Sequence, residues 1–209
     1  MSLKKFLYGK GTLTSVSALK ISNDELKCEI GNEEIKKINT SRENIKNVLE
    51  SNQMIYGINT GFGALCNTII SNKDSNLLQE NLLKSHAVGV GPNVPIEVSK
   101  LMLIIKVHSL CMGFSGIRLE VIKRICWHIE NDIIPIVPSQ GSVGASGDLA
   151  PLAHLFLPLI GEGKVLYKGK ELETNKVLRK EQKSTLSLKE KEGLALINGT
   201  QFISAYACL

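Results

Sequence analysis

Gly141-Ser142-Val143-Gly144-Ala145-Ser146-Gly147-Asp148-Leu149-Ala150-Pro151 is the stretch of this 209-residue chain in which side-chain bulk and regular structure give way together. It follows the largely β-branched run Ile133 to Val137 and Pro138, and its glycines let the backbone reach positive φ and approach itself closely. Directly afterwards Leu149, Leu152, Leu155, Phe156 and Leu159 return at helical spacing, which sets the small-residue turn at a helix N-terminus. Such an end presents unpaired N–H groups and a partial positive charge.

Three chemistries use a turn of this kind. A phosphate-cradling loop wants a lysine after its last glycine, but the Gly141 to Gly147 spacing is wrong and Asp148 stands in the lysine's place. A serine-hydrolase elbow begins as Gly144-Ala145-Ser146-Gly147 does, yet its closing glycine is replaced by Asp148. The third is a backbone condensation: the Gly147 amide nitrogen attacks the Ala145 carbonyl carbon with loss of water, Ser146 loses its hydroxyl as a second water, and a methylidene-imidazolone remains. A bare Ala-Ser-Gly is more commonly an ordinary helix entry capped by Ser146 or Asp148.

The longer string Gly-Ser-Val-Gly-Ala-Ser-Gly-Asp-Leu-Ala-Pro-Leu-Ala-His, residues 141–154, resembles the prosthetic-group signature of the aromatic amino acid lyases, the family of the histidine and phenylalanine ammonia-lyases. Three further blocks resemble that family in its order: Tyr56-Gly57-Ile58-Asn59-Thr60-Gly61-Phe62-Gly63, Ser85-His86-Ala87-Val88-Gly89-Val90-Gly91, and Glu192-Gly193-Leu194-Ala195-Leu196-Ile197-Asn198-Gly199-Thr200. The Ser85-His86 pair brings the resemblance nearest to its histidine ammonia-lyases.

The resemblance implies elimination of ammonia from L-histidine to give trans-urocanate. The electrophile would be a 4-methylidene-imidazol-5-one made from Ala145, Ser146 and Gly147, with no metal or nucleotide. It casts Tyr56 as the proton-transfer residue, His86 as the group that holds the substrate imidazole, and Asn198 as a hydrogen-bonding partner of the amino acid and the ring. Gly63, Asp148 and Leu149 would support the loop. It also implies a cytoplasmic homotetramer. The alternatives are a phenylalanine or tyrosine ammonia-lyase or aminomutase of the same family, or a non-catalytic fragment that only folds or associates with a partner chain.

Taken without the resemblance, these residues read more plainly. Tyr56 is an ordinary loop tyrosine, since a phenol with a pKa of ~10 is a poor base unless its surroundings lower it. Asn198 before Gly199 is a turn residue. His108 lies on an apolar helix and His128 on the polar side of the next, while His154 follows the loop closely enough to support it or simply to pack. No pair of carboxylates stands out, no His-x-x-x-His spacing suggests a metal, and Gly61-Phe62-Gly63 lacks the third glycine of a dinucleotide fingerprint.

Composition narrows the class. Of 25 basic and 20 acidic residues, giving a net charge of +5, the lysines are scattered and form no basic run interleaved with aromatics, which argues against nucleic acid. Five cysteines without Cys-x-x-Cys spacing favour reduced thiols over a disulfide framework. The longest apolar stretch, Leu101 to Ile105, lies between Lys100 and Lys106, and the run after Lys4 and Lys5 is too short for a signal peptide. A soluble cytoplasmic protein is expected.

Along the chain, residues 1–31 read as a strand or two. The spacing then predicts an amphipathic helix from Asn32 to Ser51 and an irregular loop from Met54 to Ser71. It places a helix carrying Leu78, Leu82 and His86 on one face, an all-round apolar helix from Pro95 to Met112, and an amphipathic one after Gly116. A β-hairpin is expected at Lys164 to Leu172, charged surface to Lys191, and one helical region from Glu190 to Leu209. The expected fold is mainly α, like the aromatic amino acid lyases, with a small mixed α/β N-terminal region. Residues 1–112 would carry the tyrosine loop and 113–209 the start of a central helical domain. The apolar face of Phe202, Ile203, Tyr206 and Leu209 ends without a stop signal. The expectation is therefore a chain truncated before the rest of the helix bundle and inactive by itself.

Overall fold

A computed structural model describes residues 5–51, 55, 57, 60, 72–144 and 147–209. Its centre is α4 (Ile96–Cys111), which Pro95 begins at the N-cap position, where a missing N–H costs nothing. Val98, Leu101, Met102, Leu103, Ile104, Val107, Leu110 and Cys111 are all buried, so the helix is apolar on every side and needs neighbours all round. They are α1 (Ser15–Ser22), α2 (Asn32–Glu50), α5 (Leu119–Glu130) and α9 (Gln201–Cys208), with strands at its ends. Each fully buried leucine of this helix contributes roughly 1.5–3 kcal/mol of transfer free energy.

The N-terminal region is a parallel pair, β1 (Phe6–Tyr8) on β2 (Cys28–Ile30), connected through α1. The helix was not expected from its sequence, although Thr14 and Ser17 form a reciprocal capping box that starts it. The expected amphipathic helix is α2, with Ile38 and Ile45 inward. The expected β-hairpin is β6 (Lys164–Tyr167) with β7 (Lys170–Glu173), turned at Lys168 and Gly169, both at positive φ. It joins β4 (Ile134–Pro135) in a three-stranded sheet.

Three further expectations fail, each for a physical reason. The charged stretch after the hairpin is not all surface: α7 (Thr174–Lys180) turns Thr174, Val177 and Leu178 inward, and Leu186 and Leu188 are buried beyond it. Lysines on the outer side hide that short apolar pattern. The last helical region is two helices, α8 (Glu192–Ile197) and α9, because Asn198 is extended and Gly199 has a φ of +151°. Finally, His128 is not on a polar face but only 1% exposed. Asp132, at a φ of +51°, folds the chain back so that Ile133 O meets its Nδ1 at 3.0 Å.

The helix after the glycine-rich turn is α6 (Leu149–Phe156), which tightens into a 3-10 turn at Leu157–Ile160 because Pro158 cannot donate to the α-helical ladder. Gly161, at a φ of +83°, closes it.

Candidate active site

Three segments meet at the start of α6. The first is the glycine-rich turn. The second is the end of α3 (Asn72–His86) and β3 (Val90–Asn93). The third is the break between α8 and α9.

An antiparallel pairing of β3 with β5 (Pro138–Gln140) brings the His86 segment beside the turn, with Val90 opposite Gln140. Gly89 and Gly141 are nearly in contact: a Cβ on Gly141 would lie 3.0 Å from Gly89 Cα. The Gly89 N–H also donates to His154 Nε2 at 3.0 Å, so the neutral ring carries its proton on Nδ1. Burial lowers the His154 pKa, which favours that neutral form. His154 thus does more than pack, since it ties α6 to the His86 segment.

His86 ends α3 half-buried, with Nδ1 2.8 Å from Leu82 O and 3.2 Å from Ser85 Oγ. The carbonyl contact requires a proton on Nδ1, which leaves Nε2 as the ring's acceptor.

The α8–α9 break is held from below. Glu192, fully buried, accepts from the Arg118 backbone N–H at 3.0 Å, from its guanidinium at 2.8 Å and from Lys189 N at 2.8 Å. The Arg118 pKa is raised, chiefly by that hydrogen-bonded carboxylate. Gly193 N donates to Gln79 Oε1 of α3 at 2.9 Å. The start of α8 is therefore fixed to α3 and α5, and this sets where Asn198 leaves its end.

Asp148 connects the turn to this break. Its side chain is fully buried, yet it makes no cap bond to α6, the role its position suggests. One oxygen accepts from Ser142 Oγ at 3.1 Å; the other accepts from Phe202 N at 3.0 Å and Ile203 N at 3.2 Å, so it caps α9 instead. The Asp148 backbone N–H donates to Gly199 O at 2.8 Å. Gly147, at a φ of +121°, packs so closely that a Cβ there would lie 2.9 Å from the same Gly199 oxygen. Only glycine suits that position.

Of the residues singled out in the sequence, His86, Gly147, Asp148, Leu149 and Asn198 are thus arranged around one turn. Tyr56, Gly63, Ala145 and Ser146 lie outside the described residues. Sequence reasoning missed Lys106, whose Nζ donates to Asn198 O at 2.8 Å. Its position within an apolar helix was the available signal. Among the described residues no group of three or more His, Cys, Asp or Glu side chains is placed to hold a metal.

The sequence profile of the family described as "Aromatic amino acid lyase" matches residues 13–209. A histidine ammonia-lyase of Shewanella sediminis is 44% identical over 205 residues, covering 98% of this chain and 40% of that protein. The crystal structure of histidine ammonia-lyase from Trypanosoma cruzi superposes with a TM-score of 0.89 at 36% identity, covering 98% of this chain and 39% of that one. Tyrosine aminomutase from Streptomyces globisporus superposes at 0.91 with 33% identity, covering 98% and 38%. The chain spans about 40% of the length of the curated relatives it matches.

Proposed function

The chain belongs to the aromatic amino acid lyase family, and on that premise we propose that the intact protein eliminates ammonia from L-histidine to give trans-urocanate. The observation that carries the proposal is the convergence on Asp148. One buried carboxylate holds Ser142 of the turn and the first amides of α9 together, with Gly147 pressed against Gly199.

The residues fit a methylidene-imidazolone formed from Ala145, Ser146 and Gly147. A ring that closes through the Gly147 nitrogen needs a side-chain-free residue in a compressed turn, and Gly147 has neither space nor favourable φ for a Cβ. When formed, the ring supplies an electrophile toward an amine. The chain's own groups supply the rest. Tyr56 takes the β-proton of the substrate. His86, its Nδ1 hydrogen engaged by Leu82 O, offers Nε2 as an acceptor to the N–H of the substrate imidazole. Asn198 hydrogen-bonds the amino acid, and the α6 N-terminus lends positive potential to the turn.

Histidine is favoured over phenylalanine or tyrosine because an acceptor left unpaired against an apolar ring is penalised by about 1–3 kcal/mol. The fold itself does not choose, since the aminomutase and the histidine ammonia-lyase superpose almost equally well. The reading extends to a homotetramer in the cytoplasm, as the resemblance implies, and to low activity of residues 1–209 by themselves.

Intact-mass measurement of the purified protein with its Ser146→Ala variant, alongside urocanate absorbance, tests the proposal. Expected are the loss of two waters confined to residues 145–147 and its absence, with turnover abolished, in the variant. A variant that turns histidine over normally sinks the ring and the mechanism with it.

A further inference from the structure

Lys106 is an unusual lysine. It sits in the middle of α4 among Met102, Leu103, Val107 and Leu110 and is 2% exposed. Among the described residues no carboxylate pairs with it, and its Nζ donates to Asn198 O at 2.8 Å. Burial pushes its pKa down to about 7. An amine head buried on one neutral acceptor is costly, and a methionine would fill the same space without that cost. Stability alone therefore gives no reason for the residue.

Its acceptor gives one. Asn198 is the residue at which α8 stops: its N–H still donates to Leu194 O at 3.0 Å, but its own carbonyl has left the helical ladder and points to Lys106. The next residue, Gly199, presents its oxygen to the Asp148 N–H at 2.8 Å and faces Gly147. Two residues later α9 begins, capped by the Asp148 carboxylate. The path from Lys106 to the turn thus runs through consecutive backbone units, with one hydrogen bond at either end.

We propose that Lys106 is a positioning residue for the prosthetic-group turn: by clamping the Asn198 carbonyl from beneath, it fixes Gly199 against Gly147 and directs the Asn198 side chain, holding the turn in the compressed form that ring closure requires. This rests on the ring reading above. Without the clamp the 198–199 peptide is free to rotate, Gly199 O withdraws from Asp148 N, and the turn relaxes while the surrounding apolar core stays packed.

The test compares the intact protein with Lys106→Met, which keeps the volume, and Lys106→Arg, which keeps a charged donor. The measurements are thermal melting, intact mass and kcat per molecule of closed ring. Expected for Lys106→Met is a melting temperature equal to or above that of the parent, with a smaller fraction of molecules lacking two waters. Its kcat should fall about tenfold to a hundredfold, as displacement of a reacting group by a fraction of an ångström to an ångström would cause. Lys106→Arg should restore much of the ring fraction. Complete ring closure with parental kcat in Lys106→Met overturns the inference. So does a ring fraction that falls only in proportion to melting temperature and is not rescued by arginine. Should the methionine variant fail to fold, Lys106→Gln, shorter and uncharged, is read by the same criteria. Absence of the two-water loss in the parent protein instead removes the ring reading itself, and this inference with it.

Discussion

Asp148 shows how one side chain changes meaning between sequence and structure. Its place before Leu149 suggests a cap for α6, but its carboxylate serves the N-terminus of α9, far along the chain. Asp148→Ala removes three hydrogen bonds from a fully buried site. A loss of about 2 kcal/mol is expected, the upper end for a lost cap, read as a lower urea midpoint. The fraction of chains lacking two waters should fall as well, and full ring closure in that variant would show that the turn does not depend on the carboxylate. His128 makes a second prediction. With Nδ1–H donating to Ile133 O and Nε2 buried without a partner, protonation places a charge where nothing accepts it, and burial pushes its pKa down to about 4. The unfolded chain then binds more protons than the folded one between its ordinary pKa of about 6.5 and that value. The stability His128 contributes is complete above this window and is lost as pH falls through it. Folding free energy should drop by up to about 3 kcal/mol from pH 7 to pH 4, and His128→Gln should flatten that slope in urea titrations at a series of pH values.

At the scale of elements, what could be read in advance followed from periodicity. The apolar positions of α4 and the alternation of the hairpin at 164–173 carry their own signal, and both elements form as expected. The break at Asn198 to Thr200 carries only the weak turn signal of Asn198-Gly199, which the helical spacing on either side outweighs. Tertiary contacts fix that turn in place: Lys106 takes the Asn198 carbonyl and Asp148 takes the first amides of α9. The burial of His128 and the inward face of α7 were hidden in the same way, by contacts with distant residues and by the lysines around them. The turn that faces the break depends on glycine at position 147, just before the Asp148 that precedes α6. Gly147→Ala must place a methyl 2.9 Å from Gly199 O at a φ of +121°. Strain of this sort costs on the order of 1–3 kcal/mol. The expected outcome is a lowered melting temperature together with incomplete water loss. A variant that melts and cyclises like the parent would mean the turn has room that the Gly199 contact denies.

At the scale of the whole molecule, the described residues leave the candidate site open on one side. Asn198 is exposed and His86 half-buried, Val143 of the turn is 89% exposed, and Ile203 beside it is 50% exposed. Tyr206 and Leu209 continue the same uncovered apolar face along α9. A lyase site of the proposed kind has to exclude water and hold the substrate carboxylate, and exposed walls do neither. An uncovered apolar face of this sort is, in addition, a surface that associates. Residues 1–209 purified alone are therefore expected to form urocanate from histidine far more slowly than the histidine ammonia-lyases they resemble. They should also self-associate as concentration rises, and Ile203→Lys should reduce that association by breaking the continuity of the face without touching the Asp148 cap, which uses only the Ile203 backbone. Absorbance assays and sedimentation velocity over a range of concentrations check the two expectations separately. Turnover comparable to those relatives would show that the described segments enclose the site unaided. A monomer at every concentration would show that this exposed face does not drive association.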